Sequence, residues 1–418
     1  MAGQVVNMLL QAAYFVLLAR LLGVVAYGLF AASYALVNVV TPYSALGSSM
    51  LFMRYVSLDP STARVFWGNT LLTILIVSLI IGGVLLVIAP HVIGAAPLGL
   101  IIALIVANCV MSQVAMCASS VFLTLHQVKS AAINRLLSNF MRTLILVAML
   151  VFMHTATARQ WGYGILFSTS LAALISLGWV RSAIGPMVFS VRHLFEHLSE
   201  GFGFSFAGST ESVYNDLDKI LLSHYNMNAA AGIYTMAYRI ADFATAPVSS
   251  LVSAVMPRWF ALSKEGFLAV AGAYPKLLKV SLAAGFGAAV SIFLGSPLIV
   301  KIVGHGFAES LIAMRWLCWL PVLRAVHQVV GSVLTATGRQ PERTAAQFAI
   351  GVINAGLNLW LIPIHGWRGA AWASLASDGL LGLLNLLLVL YHQRWSSGMR
   401  PVPGPEMLLE ADQEGALD

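Results

Sequence analysis

Charge is what this 418-residue sequence lacks. Only 9% of its residues are Asp, Glu, Lys or Arg, 59% are hydrophobic, and the mean hydropathy is +0.85. Soluble domains carry about 25% charged and about 45–50% apolar residues, so a soluble enzyme of this length is excluded. Cysteine is equally scarce. Cys109, Cys117 and Cys318 all lie inside apolar segments, which excludes a disulfide framework. There is no Asn-x-Ser/Thr acceptor, in keeping with a bacterial inner membrane. A Walker-type phosphate loop, a G-x-S-x-G elbow and a Cys/His metal cluster are also missing, so no catalytic residue, metal or ATP hydrolysis is expected. The N-terminus enters an apolar stretch within five residues, with no basic region or cleavage site before it. It reads as a first span, not a signal peptide.

What is present is a succession of apolar segments of helix length. Spans are expected near 3–19, 27–53, 66–90, 98–124, 136–154 and 162–180, then near 201–224, 231–256, 277–300, 310–336, 345–363 and 369–391. Most are long enough for a hydrocarbon core about 30 Å thick at 1.5 Å per residue. The halves resemble each other. A shift of 204 residues superposes Gly28 on Gly232, Phe30 on Tyr234, Tyr34 on Tyr238, Asn38 on Asp242 and Gly162 on Gly366. Six spans repeated in the same order predict an all-α polytopic membrane protein of about 12 transmembrane helices, in two six-helix bundles around a central cavity. The expected domains are an N-terminal bundle (1–190), a cytoplasmic linker of amphipathic character (191–200), a C-terminal bundle (201–395) and a disordered tail (396–418).

Basic residues orient the chain. With both termini inside, 14 of the 23 Lys and Arg fall in inside loops and the tail, and only Arg20, Arg159, Lys301 and Arg368 fall outside. The net charge of +7 is therefore spread along one membrane side and does not call for a nucleic-acid partner.

Charges inside spans mark function or buried pairing, because each costs at least about 2.5–3.5 kcal/mol near the bilayer centre. Span seven carries Glu211, Asp216, Asp218 and Lys219. Glu211 and Asp218, seven apart, share a face, and Lys219 is within reach of Asp216. Span eight places Arg239 and Asp242 at i,i+3 beside Tyr234 and Tyr238. Span five aligns Arg135, Asn139 and Arg142 in one polar stripe, with Arg135 as an ordinary inside anchor. Span ten puts Arg324, His327 and Gln328 on one face, with Arg315 opposite as an anchor. Arginine suits a bidentate grip on phosphate, so a cavity holding Arg142 and Arg324 would take an anionic head group. Gln4, Asn7 and Gln11 line a face of span one, Asn354 and Asn358 one of span eleven, and Asp378 and Asn385 one of span twelve. Interhelical hydrogen bonding accounts for these amides. His193, Glu196 and His197 match the H-x-x-E-H pattern of inverted zinc peptidases, but no soluble domain surrounds them, and VRHLFEHLSEGF reads instead as an amphipathic surface helix.

The stretch LLARLLGVVAYGLFAASYALVNVVTPYSALGSSMLFMRYVS resembles the opening of polysaccharide flippases of the multidrug/oligosaccharidyl-lipid/polysaccharide (MOP) exporter superfamily. Asp218 followed by Gly232-Ile233-Tyr234 is similar to the start of their second half. Asn354, Asn358, Pro363, Gly366, Gly369 and Ala370 are similar to its close. The resemblance implies alternating access and movement of a polyprenyl-diphosphate-linked oligosaccharide from the inner to the outer leaflet for O-antigen, capsule or exopolysaccharide. It also implies an H+ or Na+ gradient or membrane potential in place of a cofactor, and a polysaccharide polymerase or other biosynthesis protein as a possible partner. The expected substrate-binding residues are then Arg142, Arg324, His327, Asn139, Arg239 and Asn354. The expected ion-coupling residues are Asp218, Glu211, Asp242 and Asp378. Multidrug relatives often carry an acid in the first helix. Span one has none, which favours the flippase branch, and twelve spans speak against the fourteen-span peptidoglycan-precursor flippase. Two alternatives stand beside this: a cation-coupled drug exporter using Asp218, Asp242 or Asp378, and a synthase accessory protein without transport of its own.

Overall fold

The computed structural model describes residues 2–94, 96–190 and 198–398. The linker motif His193, Glu196 and His197, and the tail beyond 398, lie outside the described residues, as do the side chains of Gln4, Asn7 and Glu211. Among the described residues the regular structure is helical: α1 (Ala2–Ser44), α2 (Ser48–Leu58), α3 (Ala63–Val92), α4 (Leu98–Ile105), α5 (Gln113–Thr124), α6 (Val128–Met153) and α7 (Ala158–Ile184). These are followed by α8 (Leu198–His224), α9 (Asn228–Leu262), α10 (Phe267–Val303), α11 (Ser310–Leu317), α12 (Leu320–Ala336), α13 (Gln340–His365) and α14 (Trp367–Gly398). A π-helical turn, Val106–Ser112, joins α4 to α5 within the fourth span.

Ten helical stretches among the described residues are long and apolar enough to cross a membrane. Two features reconcile them with the twelve spans expected. The 43 residues of α1 would extend about 65 Å as one helix, roughly twice a hydrocarbon core. The helix breaks at Gly23, whose φ of 68° and ψ of 169° suit a residue without a Cβ, so its two arms supply spans one and two. The other feature is α8, which supplies span seven and carries Glu211, Asp216, Asp218 and Lys219 in its sequence.

The apolar clusters largely sort by half. Leu18, Leu100 and Trp161 centre one, and Phe52, Trp67 and Phe122 a second. Tyr234, Met314 and Trp367 centre a third, and Trp259, Val329 and Val333 a fourth. Met236, Val303 and Phe307 reach across to the first cluster and tie the halves together. Large apolar side chains such as Leu79, Val87, Phe152, Leu294 and Trp360 are exposed on the outside, as a lipid-facing surface requires.

Glycines set the closest approaches. A Cβ on Gly28 would overlap the Asn228 carbonyl, and one on Gly232 the Val24 carbonyl, so the second arm of α1 and the start of α9 touch backbone to backbone. The positions superposed by the repeat are thus each other's neighbours. Gly366 turns the chain at φ 57°, and a Cβ on Gly369 would overlap the Leu361 carbonyl. Gly162, its counterpart Gly366 notwithstanding, sits inside α7 against Leu100 and makes no turn.

A candidate substrate cavity between the halves

A cavity of about 730 Å³ lies between α1, α6, α8 and α9. Helical spacing explains its walls. Thr235, Arg239, Asp242, Ala246 and Ser250 recur along one face of α9, Tyr27, Phe30, Ala31 and Tyr34 along the second arm of α1, and Asn139, Arg142 and Thr143 along α6. Leu10, Gln11, Tyr14 and Phe15 complete it from the first arm of α1. The backbone contact of Gly28 with α9 borders the cavity next to Tyr27. Tyr27 and Thr235 lie beside that contact, their hydroxyls buried without a partner among the described residues.

One turn further along α9 from Thr235 is Arg239, with Arg142 of α6 in the same lining. Arg142 has its guanidinium 5.8 Å from the Tyr14 ring centroid, and Arg239 sits 5.2 Å from that of Phe15. The two rings are 5.0 Å apart, edge to face. Arg239 is paired with Asp242 at 3.3 Å. Arg142 has no ion-pair partner among the described residues, and the Nε atoms of both arginines are buried without hydrogen bonds. Among the described residues the charged lining is Arg142, Lys219, Arg239 and Asp242; Lys219 is paired with Asp216 and Asp218 and Arg239 with Asp242, which leaves Arg142 as the lining charge without an ion pair.

Behind this wall the C-terminal half holds a buried ionic network. Arg324 donates from Nη1 to Asp242 Oδ1 at 2.6 Å, from Nη2 to the Tyr238 hydroxyl at 2.6 Å and from Nε to Asp378 Oδ2 at 3.2 Å. Tyr214 donates to Asp378 Oδ1 at 2.6 Å, with His327 Nε2 3.8 Å away. Lys219, 2% exposed, meets Asp216 at 2.9 Å and Asp218 at 3.5 Å and lies 4.5 Å from the Tyr238 ring centroid. Asp218 accepts hydrogen bonds from the Tyr234 hydroxyl and the Lys219 backbone N–H. Asp216 accepts from Asn38 Nδ2 at 2.8 Å, a polar link between the halves. Charges removed from water in this way are tolerated because each finds an opposite charge or a hydrogen bond.

The sequence expectations divide accordingly. Arg142, Asn139, Arg239 and Asp242 line the cavity together. Asp216–Lys219 and Arg239–Asp242 form at the i,i+3 spacing that suggested them. Arg135 and Arg315 are exposed, as anchors are. Arg324 was expected to share the cavity with Arg142. Instead it is buried, and its guanidinium is committed to Asp242, Asp378 and Tyr238, which leaves it no free fork for a ligand. His327 and Asn354 are likewise absent from the described lining. Asn354 donates to Ser377 Oγ at 3.0 Å and accepts from Asn358 at 2.9 Å, which makes it a tie between α13 and α14. Asp218 and Asp378 lie in the buried network behind the wall. The aromatic walls went unread among the site residues, although Tyr27, Phe30 and Tyr34 carry a helical 3–4 spacing that could have marked them.

The family model for polysaccharide biosynthesis proteins matches residues 1–263. No curated protein matches this sequence. Among solved structures, the inward-facing conformation of a multidrug resistance MATE family transporter of the MOP superfamily superposes with a TM-score of 0.78 at 15% identity, over 94% of this chain and 95% of that one. An outward-facing conformation of a MATE transporter gives 0.62 at 14% identity, over 94% of each chain. The lipid II flippase MurJ, in an inward closed conformation, gives 0.73 at 14% identity over 93% of this chain and 86% of that one. At these identities the likeness is one of fold: the chain shares the multi-helix membrane fold of those proteins.

Proposed function

We propose, starting from the fact that the chain belongs to the polysaccharide biosynthesis protein family, that it flips a polyprenyl-diphosphate-linked oligosaccharide across the bacterial inner membrane by alternating access. The observation that carries this reading is Arg142, a cation without an ion partner among the described residues, in an aromatic-walled cavity. Arg142 and Arg239 supply bidentate grips for two phosphoryl groups, and Asn139, Gln11 and Ser250 offer hydrogen bonds to sugars. The fold is one on which a lipid flippase is built. Residues 1–190 and 201–395 are the bundles that rock about the Gly28–Gly232 crossing, with both termini cytoplasmic. Asp218, Asp242 and Asp378, with Glu211, are the candidates for taking up a coupling proton or Na+.

A cation-coupled drug exporter is the second reading, favoured by the partly exposed Asp242 in the lining. Arg142 weighs against it, because an organic cation would meet there a like charge without an ion pair among the described residues.

Mass spectrometry of the lipid fraction from cells lacking the gene tests the assignment. One polyprenyl-diphosphate oligosaccharide should accumulate, disappear when the wild-type gene is restored, and persist with Arg142→Ala although that variant reaches the membrane in normal amount. No accumulation, with glycan still reaching the surface and dye efflux impaired, would transfer the assignment to small-molecule export.

A further inference from the structure

Asp242 holds a place that an anionic cargo would need. Its carboxylate is 29% exposed in the cavity and is shared between two arginines. The contact to Arg239, on the same helix face, is the longer at 3.3 Å. The contact to Arg324, from behind the wall, is 2.6 Å. Arg142, over the neighbouring aromatic ring, has no such occupant among the described residues, and both cavity arginines keep a buried Nε without a hydrogen bond. The cavity therefore presents one guanidinium without an ion pair among the described residues and one that is held by an internal anion. We infer that Asp242 is a built-in competitor for the second phosphoryl group of the cargo, holding Arg239 until a diphosphate displaces it and then closing onto Arg324. This rests on the flippase reading.

A single phosphoryl group reaches Arg142, but has no second group with which to displace the carboxylate. A diphosphate presents one phosphoryl group to each guanidinium, and the displaced carboxylate already has its better hydrogen bond to Arg324 in place. The same exchange would pass cargo occupancy to the buried network, because Arg324 also holds Asp378.

The test is binding of undecaprenyl diphosphate and undecaprenyl monophosphate to the purified full-length protein in lipid nanodiscs, followed by native mass spectrometry. The wild type should prefer the diphosphate by about tenfold or more, the scale of one charge-assisted contact. Asp242→Asn removes the competitor and should bind the diphosphate about tenfold tighter, while the monophosphate, held at Arg142, changes little. Arg239→Gln keeps Asp242 on Arg324 and should lower diphosphate affinity to that for the monophosphate. An unchanged preference in both variants, or an equal loss for both lipids in Asp242→Asn, would overturn the competitor role. A wild type that binds both lipids equally would overturn the displacement of Asp242 and leave the flippase reading standing. A wild type that binds neither would overturn both.

Discussion

In the N-terminal half, buried polarity is neutral. Asn134, fully buried, donates to Ala115 O at 2.8 Å and to Ser119 Oγ at 2.9 Å, and accepts from Ser176 at 2.7 Å, which ties α5, α6 and α7 together. In the C-terminal half the corresponding interior is ionic: Asp216, Asp218, Lys219, Arg324 and Asp378 are all buried. A neutral amide cannot take up or release a proton or cation under physiological conditions, whereas a network of carboxylates and bases can change partners. Under the proposed function the contrast makes the N-terminal half the frame, with Arg142 as its one charge among the described cavity residues, and the C-terminal half the part that would sense cargo and couple.

The largest effect is expected on the ionic side. Arg324→Leu leaves Asp242, Asp378 and Tyr238 without their shared donor, and losing one partner of a buried ion network costs about 3–5 kcal/mol. Membrane accumulation and thermal stability in detergent should both collapse, while Arg142→Ala leaves them intact. Equal stability of the two variants would erase the distinction between network and cavity charge. Next comes the boundary between the halves. Gly28→Val pushes a side chain into the Asn228 carbonyl and must part α1 from α9. Transport should fall more than about tenfold, for a barrier change above about 1.4 kcal/mol, and a cysteine placed at Thr235 should become reactive to an impermeant maleimide from the far side. Unchanged labelling would show that this crossing does not seal the cavity. The smallest effect belongs to the frame. Asn134→Ala removes neutral hydrogen bonds worth about 1 kcal/mol in a membrane interior, so the melting temperature should drop by a few degrees with flipping retained. A loss of flipping without loss of stability would move part of the coupling into the N-terminal half.

Several of these features could be read along the chain because their physics is local. Span lengths follow from apolar runs, and the i,i+3 pairs Asp216–Lys219 and Arg239–Asp242 follow from helix geometry. The close recognised as Gly366, Gly369 and Ala370 is explained by a left-handed turn and a backbone contact that leave no room for a Cβ. The position of Arg324 was not legible. Its partners lie 82 and 54 residues away, and a helix face defined by spacing does not say whether it turns to the cavity or to a neighbouring helix. The fate of Asn354 was open for the same reason, since an amide serves equally well in a cavity wall and in a helix contact.

The sequence by itself determined a membrane-embedded, two-part helical chain with charges inside it, because the cost of placing charge and unpaired backbone in hydrocarbon restricts every residue wherever the helices pack. Which charges face each other, and which one is left over, was decided only by the tertiary structure. The docking of α12 against α9 and α14 brings Arg324 to Asp242 and Asp378, and leaves Arg142 facing the cavity without an ion-pair partner among the described residues.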